Sequence, residues 1–174
     1  NKPVVGWIGL GMMGWPMGAC LAKAGFTVVA YDARPEQSAA FAKEVGGETV
    51  SSLAELGRTC SIVVTMLPTS KIVSDVLLGD GDAGGGGIAE GMAKGGLVID
   101  MTSGVPDVTI SLEPALNARG IAIIDAPVSG GVARARTGEL AIMAGGAEAD
   151  IERARPVLEA MGKVQRAGSL GCGQ

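Results

Sequence analysis

The fold is decided near the start of the chain by residues 4–18, which read VVGWIGLGMMGWPMG. The apolar run 4–8 is typical of a buried strand, and it ends in a Gly9-x-Gly11-x-x-Gly14 pattern. This spacing, placed between a strand and a helix, is that of a dinucleotide-binding turn. The first glycine permits the tight turn, the second lets the backbone approach a pyrophosphate, and the third lets the helix lie close to the sheet. The stretch therefore predicts a phosphate-binding turn at the start of the first helix.

The next strand supplies the second half of this pattern. The glycine triplet alone is weak evidence, because the chain has 29 glycines in 174 residues. Residues 27–31 are typical of a strand, and Asp32 follows them, 32 − 9 = 23 positions after Gly9. An acid about 20 residues after the first glycine can hold a ribose hydroxyl group. A buried apolar hairpin or a signal peptide is the alternative, but the glycines would destabilise an apolar secretory helix.

The composition limits the classes of function. A chain of 174 residues suits one domain with a full core. Its 14 basic and 18 acidic residues give a net charge of −4, which argues against nucleic acid as the main partner. We expect no membrane span, because glycines and charges interrupt the apolar runs. Three cysteines without a Cys-x-x-Cys pair indicate reduced thiols and a cytoplasmic protein, and the absence of histidine excludes His-ligated metals, so no metal site is predicted.

Strands and helices alternate along the chain, which predicts an α/β fold of the Rossmann type. We expect a doubly wound, mostly parallel sheet with helices on both faces. Ser51 or Ser52 is expected to cap a short helix, and Glu55 lies three residues after Ser52 as in a capping box. Pro156 is expected to kink or interrupt the last helix, and residues 79–87 are expected to form a flexible loop. The predicted strands are 4–8, 27–31, 48–50, 61–66, 97–100, 121–124, 140–144 and 163–166, and the longer helices are 17–23, 35–45, 69–77, 107–118 and 149–161.

Three stretches at the carboxyl ends of predicted strands leave alternatives open. Leu67-Pro68 lies at the edge where ligands bind in open α/β sheets, but Pro68 also suits the start of a helix. Thr102 or Ser103 could hydrogen-bond a ligand or cap the following helix. The consecutive N–H groups of residues 129–131, Ser-Gly-Gly, could form a concavity for a carboxylate or an ordinary turn.

These motifs, taken in order, resemble the β-hydroxyacid dehydrogenase family. That family includes 3-hydroxyisobutyrate dehydrogenase, tartronate semialdehyde reductase, L-threonate dehydrogenase and the cofactor domain of 6-phosphogluconate dehydrogenase. The resemblance covers essentially the whole chain. Its four motifs are GLGMMG at 9–14, MLP at 66–68, DMTSGVP at 100–106 and DAPVSGG at 125–131.

The resemblance implies a role for each matching residue. Gly9, Leu10, Gly11, Met12, Met13 and Gly14 would hold the pyrophosphate, and Asp32 would hold the adenosine ribose. Leu67, Pro68 and Ile72 would line the cofactor, and Ser103 would lie near the nicotinamide. Ser129, Gly130 and Gly131 would bind the carboxylate of a small 3-hydroxyacid such as threonate, glycerate or 3-hydroxyisobutyrate. Because Asp32 repels a 2′-phosphate, NAD is expected rather than NADP, although Arg34 could neutralise that phosphate.

One departure from the family concerns catalysis. The catalytic lysine of the family lies just beyond a Gly-x-Gly that aligns with residues 171–173, and this sequence ends at Gln174. We therefore expect no catalytic residue within the chain, a dinucleotide-binding domain over 1–167, and in 168–174 the start of a linker to a helical domain. The full-length enzyme is expected to be a homo-oligomer, and the isolated chain to be inactive. The alternative is a non-catalytic binding or oligomerisation module of the same fold.

Overall fold

A computed structural model describes residues 2–80 and 86–174. Most of the predicted loop at 79–87 therefore lies outside the described residues. Within them the strands are β1 (Val4–Ile8), β2 (Thr27–Tyr31), β3 (Glu48–Thr49), β4 (Ile62–Thr65), β5 (Leu97–Asp100), β6 (Ala122–Asp125), β7 (Val128–Ser129), β8 (Leu140–Gly145) and β9 (Gly162–Gly168). The helices are α1 (Gly14–Lys23), α2 (Pro35–Glu44), α3 (Leu53–Thr59), α4 (Ser70–Leu78), α5 (Ile88–Gly91), α6 (Pro106–Asn117), α7 (Gly131–Thr137) and α8 (Glu148–Glu159).

The strands form one sheet in the order β3-β2-β1-β4-β5-β6-β8-β7, with β9 beside β8. The first six strands are parallel, and their order is that of a Rossmann fold. Strand β8 runs antiparallel to β6 and β7 and parallel to β9. The predicted mostly parallel, doubly wound sheet is thus confirmed.

Alternate residues along the central strands enter two separate cores. Val64 and Ile99 lie in one core with residues of α1, α2, α7 and α8. Their neighbours Val63 and Val98 lie in the other core with residues of α3, α4, α5 and α6. Because successive side chains on a strand point to opposite faces, strands buried on both faces must be apolar throughout. This explains the nearly continuous apolar runs in the sequence.

Two local predictions about helices need correction. Helix α8 continues through Pro156, although a proline inside a helix costs about 3 kcal/mol, so the predicted interruption is wrong and the kink stays a prediction. Buried residues of α8 on either side of Pro156, among them Ala154 and Val157, keep it packed on the core. Helix α6 begins after Val105 without a side-chain cap, so neither Thr102 nor Ser103 caps it.

The predicted cap of α3 is confirmed with one difference. The Ser52 hydroxyl accepts a hydrogen bond from the N–H of Glu55 at 3.1 Å, as a helix N-cap does. The Glu55 carboxylate accepts from the N–H of Ser51, at 3.2 Å, rather than from that of Ser52. Thr69 caps α4 in the same way, accepting from the N–H of Ile72 at 3.2 Å, so this helix begins one residue later than predicted.

Candidate cofactor site

A cavity of about 480 Å³ lies at the carboxyl ends of β1, β2 and β4. This is the edge of an open α/β sheet where ligands bind. Nine of the residues predicted to contact a cofactor line the cavity, namely Gly9, Leu10, Gly11, Met13, Gly14, Asp32, Leu67, Pro68 and Ile72. Met66 of the MLP motif and Arg34, which could neutralise a 2′-phosphate, also line it. Four further residues line it that the sequence motifs do not single out for a contact: Ile8, Tyr31, Ala33 and Val76.

The three glycines of the turn are needed for different reasons. A Cβ on Gly9 would lie 2.0 Å from the carbonyl oxygen of Met66, and the φ of Gly9 is +103°. A Cβ on Gly14 would lie 1.9 Å from the carbonyl oxygen of Gly9. At Gly11 a Cβ would meet nothing within 4 Å. Gly9 and Gly14 are therefore required by the fold, whereas Gly11 borders open space in the cavity.

The turn contributes amide groups to the site, and two of the residues that carry them, Gly11 and Met13, line the cavity. Within the described residues, the N–H groups of Gly11, Met12 and Met13 donate no hydrogen bond to the protein. Helix α1 begins directly after them, so its partial positive charge adds to theirs. Unpaired N–H groups at a helix N-terminus are suited to a phosphate. The arrangement fits the diphosphate of a dinucleotide.

Asp32 lies on the wall of the cavity with its carboxylate held in place. Its Oδ2 accepts from the N–H of Leu10 at 2.8 Å, and its Oδ1 accepts from the N–H and the Nε of Arg34 at 2.9 and 3.1 Å. Burial alone would raise the pKa of Asp32, but these hydrogen bonds and the charge of Arg34 lower it on balance. A carboxylate has about four acceptor positions, so Asp32 retains capacity for a hydroxyl donor.

The opposite wall of the cavity is apolar and follows β4. Leu67 and Pro68 follow this strand after Met66, and Ile72 and Val76 follow on α4. The N–H of Leu67 donates to the Thr102 hydroxyl at 3.0 Å, which ties this wall to the loop after β5. Thr102 thus serves neither as a helix cap nor as an exposed ligand contact, because it is fully buried. The wall suits the flat face of a purine ring.

Two predicted cofactor contacts do not line this cavity. The side chain of Met12 is 81% exposed and borders a neighbouring groove lined by α1 and by Arg136 of α7. Ser103 lies exposed in the loop after β5. Their assignment to a cofactor remains a prediction.

The predicted substrate residues lie apart from the cavity. Ser129 ends β7, where it pairs with Ala141, and Gly130 and Gly131 follow it with φ values of +135° and +71°. All three are exposed. The two positive φ values explain why glycines occupy these positions. Binding of a carboxylate here remains a prediction.

Asp125 ends β6, is fully buried and has a role that its motif does not indicate. Its Oδ1 accepts from the N–H of Gly171 at 2.8 Å, and its Oδ2 accepts from those of Gly173 and Gln174 at 2.9 and 3.0 Å. Burial raises the pKa of Asp125, although these backbone N–H groups act against the rise. The last residues of the chain are therefore fastened to the carboxyl edge of the sheet.

The described residues contain no group of three or more Cys, Asp or Glu side chains arranged to hold a metal ion. Among the same residues, no helix is both long enough and apolar enough to cross a membrane.

Fold, glycine turn and cavity together define a Rossmann-type dinucleotide-binding domain. Residues 4–171 match the family described as the NAD binding domain of 6-phosphogluconate dehydrogenase. The chain therefore belongs to that family, which is part of the β-hydroxyacid dehydrogenase family. The chain is 39% identical over 175 residues to the mitochondrial 3-hydroxyisobutyrate dehydrogenase of Mus musculus, covering 100% of this chain and 50% of that protein.

Two solved structures resemble the chain closely. The 3-hydroxyisobutyrate dehydrogenase of Mycobacterium tuberculosis with L-serine superposes with a TM-score of 0.87 at 33% identity, covering 99% of this chain and 57% of that one. Psf3 in complex with NADP+ and 2-OPP superposes with a TM-score of 0.89 at 26% identity, covering 98% of this chain and 59% of that one. The chain thus spans little more than half the length of these relatives.

Proposed function

We propose that this chain is the cofactor domain of an NAD-dependent dehydrogenase acting on a small 3-hydroxyacid. The observation that carries the proposal is the cavity at the glycine turn, where free amide groups lie beside the Asp32 carboxylate. The relatives named as 3-hydroxyisobutyrate dehydrogenases support the reaction class. Activity screening of the full-length enzyme against 3-hydroxyisobutyrate, threonate and glycerate identifies the particular hydroxyacid.

Each part of the cavity has a proposed task. The amides of residues 11–13 bind the diphosphate, and Asp32 accepts hydrogen bonds from the adenosine ribose. Leu67, Pro68 and Ile72 cover the adenine and exclude water. Ser103 lies toward the nicotinamide, and Ser129 with the two following glycines binds the substrate carboxylate. When bound, the nicotinamide accepts a hydride from the substrate carbon while the hydroxyl proton passes to a base.

We place that base outside the described cavity. No lysine is among the residues that line it, and the chain has no histidine. The family resemblance supports a lysine that follows the Gly-x-Gly at residues 171–173. We further propose that the dinucleotide-binding domain covers residues 1–167 and that a linker begins at residue 168. We also propose that the full-length enzyme is a homo-oligomer.

Calorimetric titration of the 174-residue chain with NADH tests the proposal. We expect one saturable site per chain and no heat from 3-hydroxyisobutyrate added alone. We also expect no NADH formation when NAD and the hydroxyacid are supplied together, because a missing general base costs about 10²- to 10⁴-fold. A folded chain that gives no saturable heat with NADH would overturn the proposal.

We expect NADH to bind at least about tenfold more tightly than NADPH. Two like charges 4 Å apart repel by about 4 kcal/mol at an effective dielectric constant near 20, so Asp32 opposes a 2′-phosphate. Arg34 reduces this penalty, and its side chain is 58% exposed. The variant Arg34→Ala should therefore widen the preference for NADH. Equal dissociation constants of the two cofactors for the unchanged chain would contradict the assignment.

The affinity for NADH should show no titration step from Asp32 between about pH 5 and pH 8. The pKa of Asp32 lies below its ordinary value of 3.8, so the carboxylate stays charged throughout this range. The contribution of the Asp32 carboxylate to the free energy of unfolding is fully present above pH 3.8, and it is lost as the pH falls through the lower pKa of the folded state. The measurement is the dissociation constant of NADH across this pH range. A step in the unchanged chain that is absent from the variant Asp32→Asn would contradict the prediction.

We also propose a reducing compartment, the cytoplasm. Cys20, Cys60 and Cys172 are all free thiols. Burial raises the pKa of the Cys60 thiol to about 11, so it is neutral and inert at physiological pH. The related mouse enzyme is named as mitochondrial, so fractionation of the native organism decides the compartment.

A further inference from the structure

Trp7 makes a hydrogen bond that the proposed function does not use. This residue lies in β1 and is fully buried. Its indole Nε1–H donates to the carbonyl oxygen of Gly9 at 2.9 Å. A buried indole needs an acceptor for its one donor, and here the acceptor belongs to the glycine turn itself. Trp7 does not line the cavity, so the Gly9 carbonyl is directed into the core and away from the cavity.

The same peptide unit is held at its other end. The N–H of Leu10 belongs to the peptide that carries the Gly9 carbonyl, and it donates to Asp32 Oδ2 at 2.8 Å. A peptide unit is planar, so hydrogen bonds at its two ends fix its rotation about the chain axis. Gly9 has no Cβ and opposes such rotation less than other residues do. The orientation of this peptide therefore depends on Trp7 and Asp32.

The following carbonyl is held in the same manner. The Nε2 of Gln37, on α2, donates to the carbonyl oxygen of Leu10 at 2.7 Å. Two successive carbonyls of the turn are thus bound by side-chain donors that lie outside the cavity lining. The next three amides in the chain, those of residues 11–13, remain without acceptors in the described protein. A carbonyl oxygen carries partial negative charge, so turning either one into the cavity would repel a phosphate.

We propose that Trp7 and Gln37 are positioning residues of the phosphate cradle, which keep the Gly9 and Leu10 carbonyls away from a bound diphosphate. The proposal rests on the proposed function, because it assumes that a dinucleotide occupies the cavity. It gives a tryptophan of the core and a glutamine of helix α2 a role in cofactor affinity. Neither residue touches the cofactor in this account.

The test compares Trp7→Phe with Trp15→Phe, both measured by calorimetry with ADP-ribose. Trp15 is the other tryptophan; it contacts the Phe41 ring edge-on, and it makes no hydrogen bond through its side chain among the described residues. We expect Trp7→Phe to weaken ADP-ribose binding at least about tenfold and Trp15→Phe to change it less than about twofold. The variant Gln37→Ala, at a half-buried position, should weaken binding at least about threefold, with the exposed Gln165→Ala as its control.

Adenosine separates positioning from a general loss of structure. It lacks phosphates, so its affinity, measured by NMR titration, should be equal in Trp7→Phe and the unchanged chain. Loss of adenosine binding together with ADP-ribose binding would indicate a distorted cavity and overturn the inference, as would unchanged ADP-ribose binding in both Trp7→Phe and Gln37→Ala. If Trp7→Phe does not fold, Gln37→Ala with adenosine decides alone. Failure of the unchanged chain to bind ADP-ribose would instead refute the proposed function.

Discussion

The variant Gly11→Ala is expected to fold normally and to bind NADH at least about 100-fold more weakly than the unchanged chain. A Cβ at this position would meet no protein atom within 4 Å, and the backbone of Gly11 is not in the left-handed region. The protein itself therefore has no steric need for glycine here. The added methyl group would project into the open space where the proposed diphosphate approaches the backbone.

Gly14→Ala is the matched comparison, because the same change is made three positions later in the same turn. Its Cβ would lie 1.9 Å from the Gly9 carbonyl oxygen, so the turn must distort, and we expect a loss of stability of several kcal/mol. Urea unfolding should place Gly11→Ala within about 1 kcal/mol of the unchanged chain. Normal NADH affinity in a well-folded Gly11→Ala variant would show that no diphosphate lies against this residue.

The second large effect is expected for Asp125→Asn. The carboxylate of Asp125 accepts three backbone hydrogen bonds from Gly171, Gly173 and Gln174. An asparagine at this site places an amide donor against at least one of these N–H groups. A hydrogen bond to a charged group contributes about 1.5–3 kcal/mol, and a buried unpaired donor costs a similar amount. We expect residues 171–174 to detach from the sheet edge at a cost of about 2–4 kcal/mol.

Hydrogen exchange measures this release at the residue concerned. Gly171 is buried, and its amide should exchange at least about 30-fold faster in Asp125→Asn, since each 1.4 kcal/mol is a factor of ten. The control is Asp107→Asn, in the exposed first turn of α6, which should change stability by less than about 1 kcal/mol. Unchanged exchange of Gly171 would mean that the Asp125 carboxylate does not hold the end of the chain.

The elements that set the fold were predictable because their signals are local. The central parallel strands β1, β4 and β5 are largely apolar on both faces, and glycines or prolines mark the ends of most helices. The antiparallel direction of β8 could not be predicted, because its apolar pattern suits either direction and only its partners β6 and β7 decide it. Helix α8 was predicted, but its continuity through Pro156 was not, since tertiary packing outweighs the local effect of this proline.

The candidate site also has residues that the sequence predicts and hydrogen bonds that it does not. Gly9, Gly11, Gly14 and Asp32 could be predicted from spacing, because one turn and one strand end bring them together. The partners of Thr102 and Asp125 could not, since their hydrogen bonds join residues 35 to 49 positions apart in the chain. No local pattern encodes such pairs. A buried aspartate at a strand end was the available signal, and it could have prompted a search for backbone donors.

Amide chemical shifts recorded by NMR during titration with NADH test the central claim most directly. The account predicts saturable shifts that are largest at the N–H groups of residues 10–13 and of Arg34, which surround the proposed diphosphate and ribose positions. Saturable shifts confined to other parts of the chain, or none at all in folded protein, would contradict it.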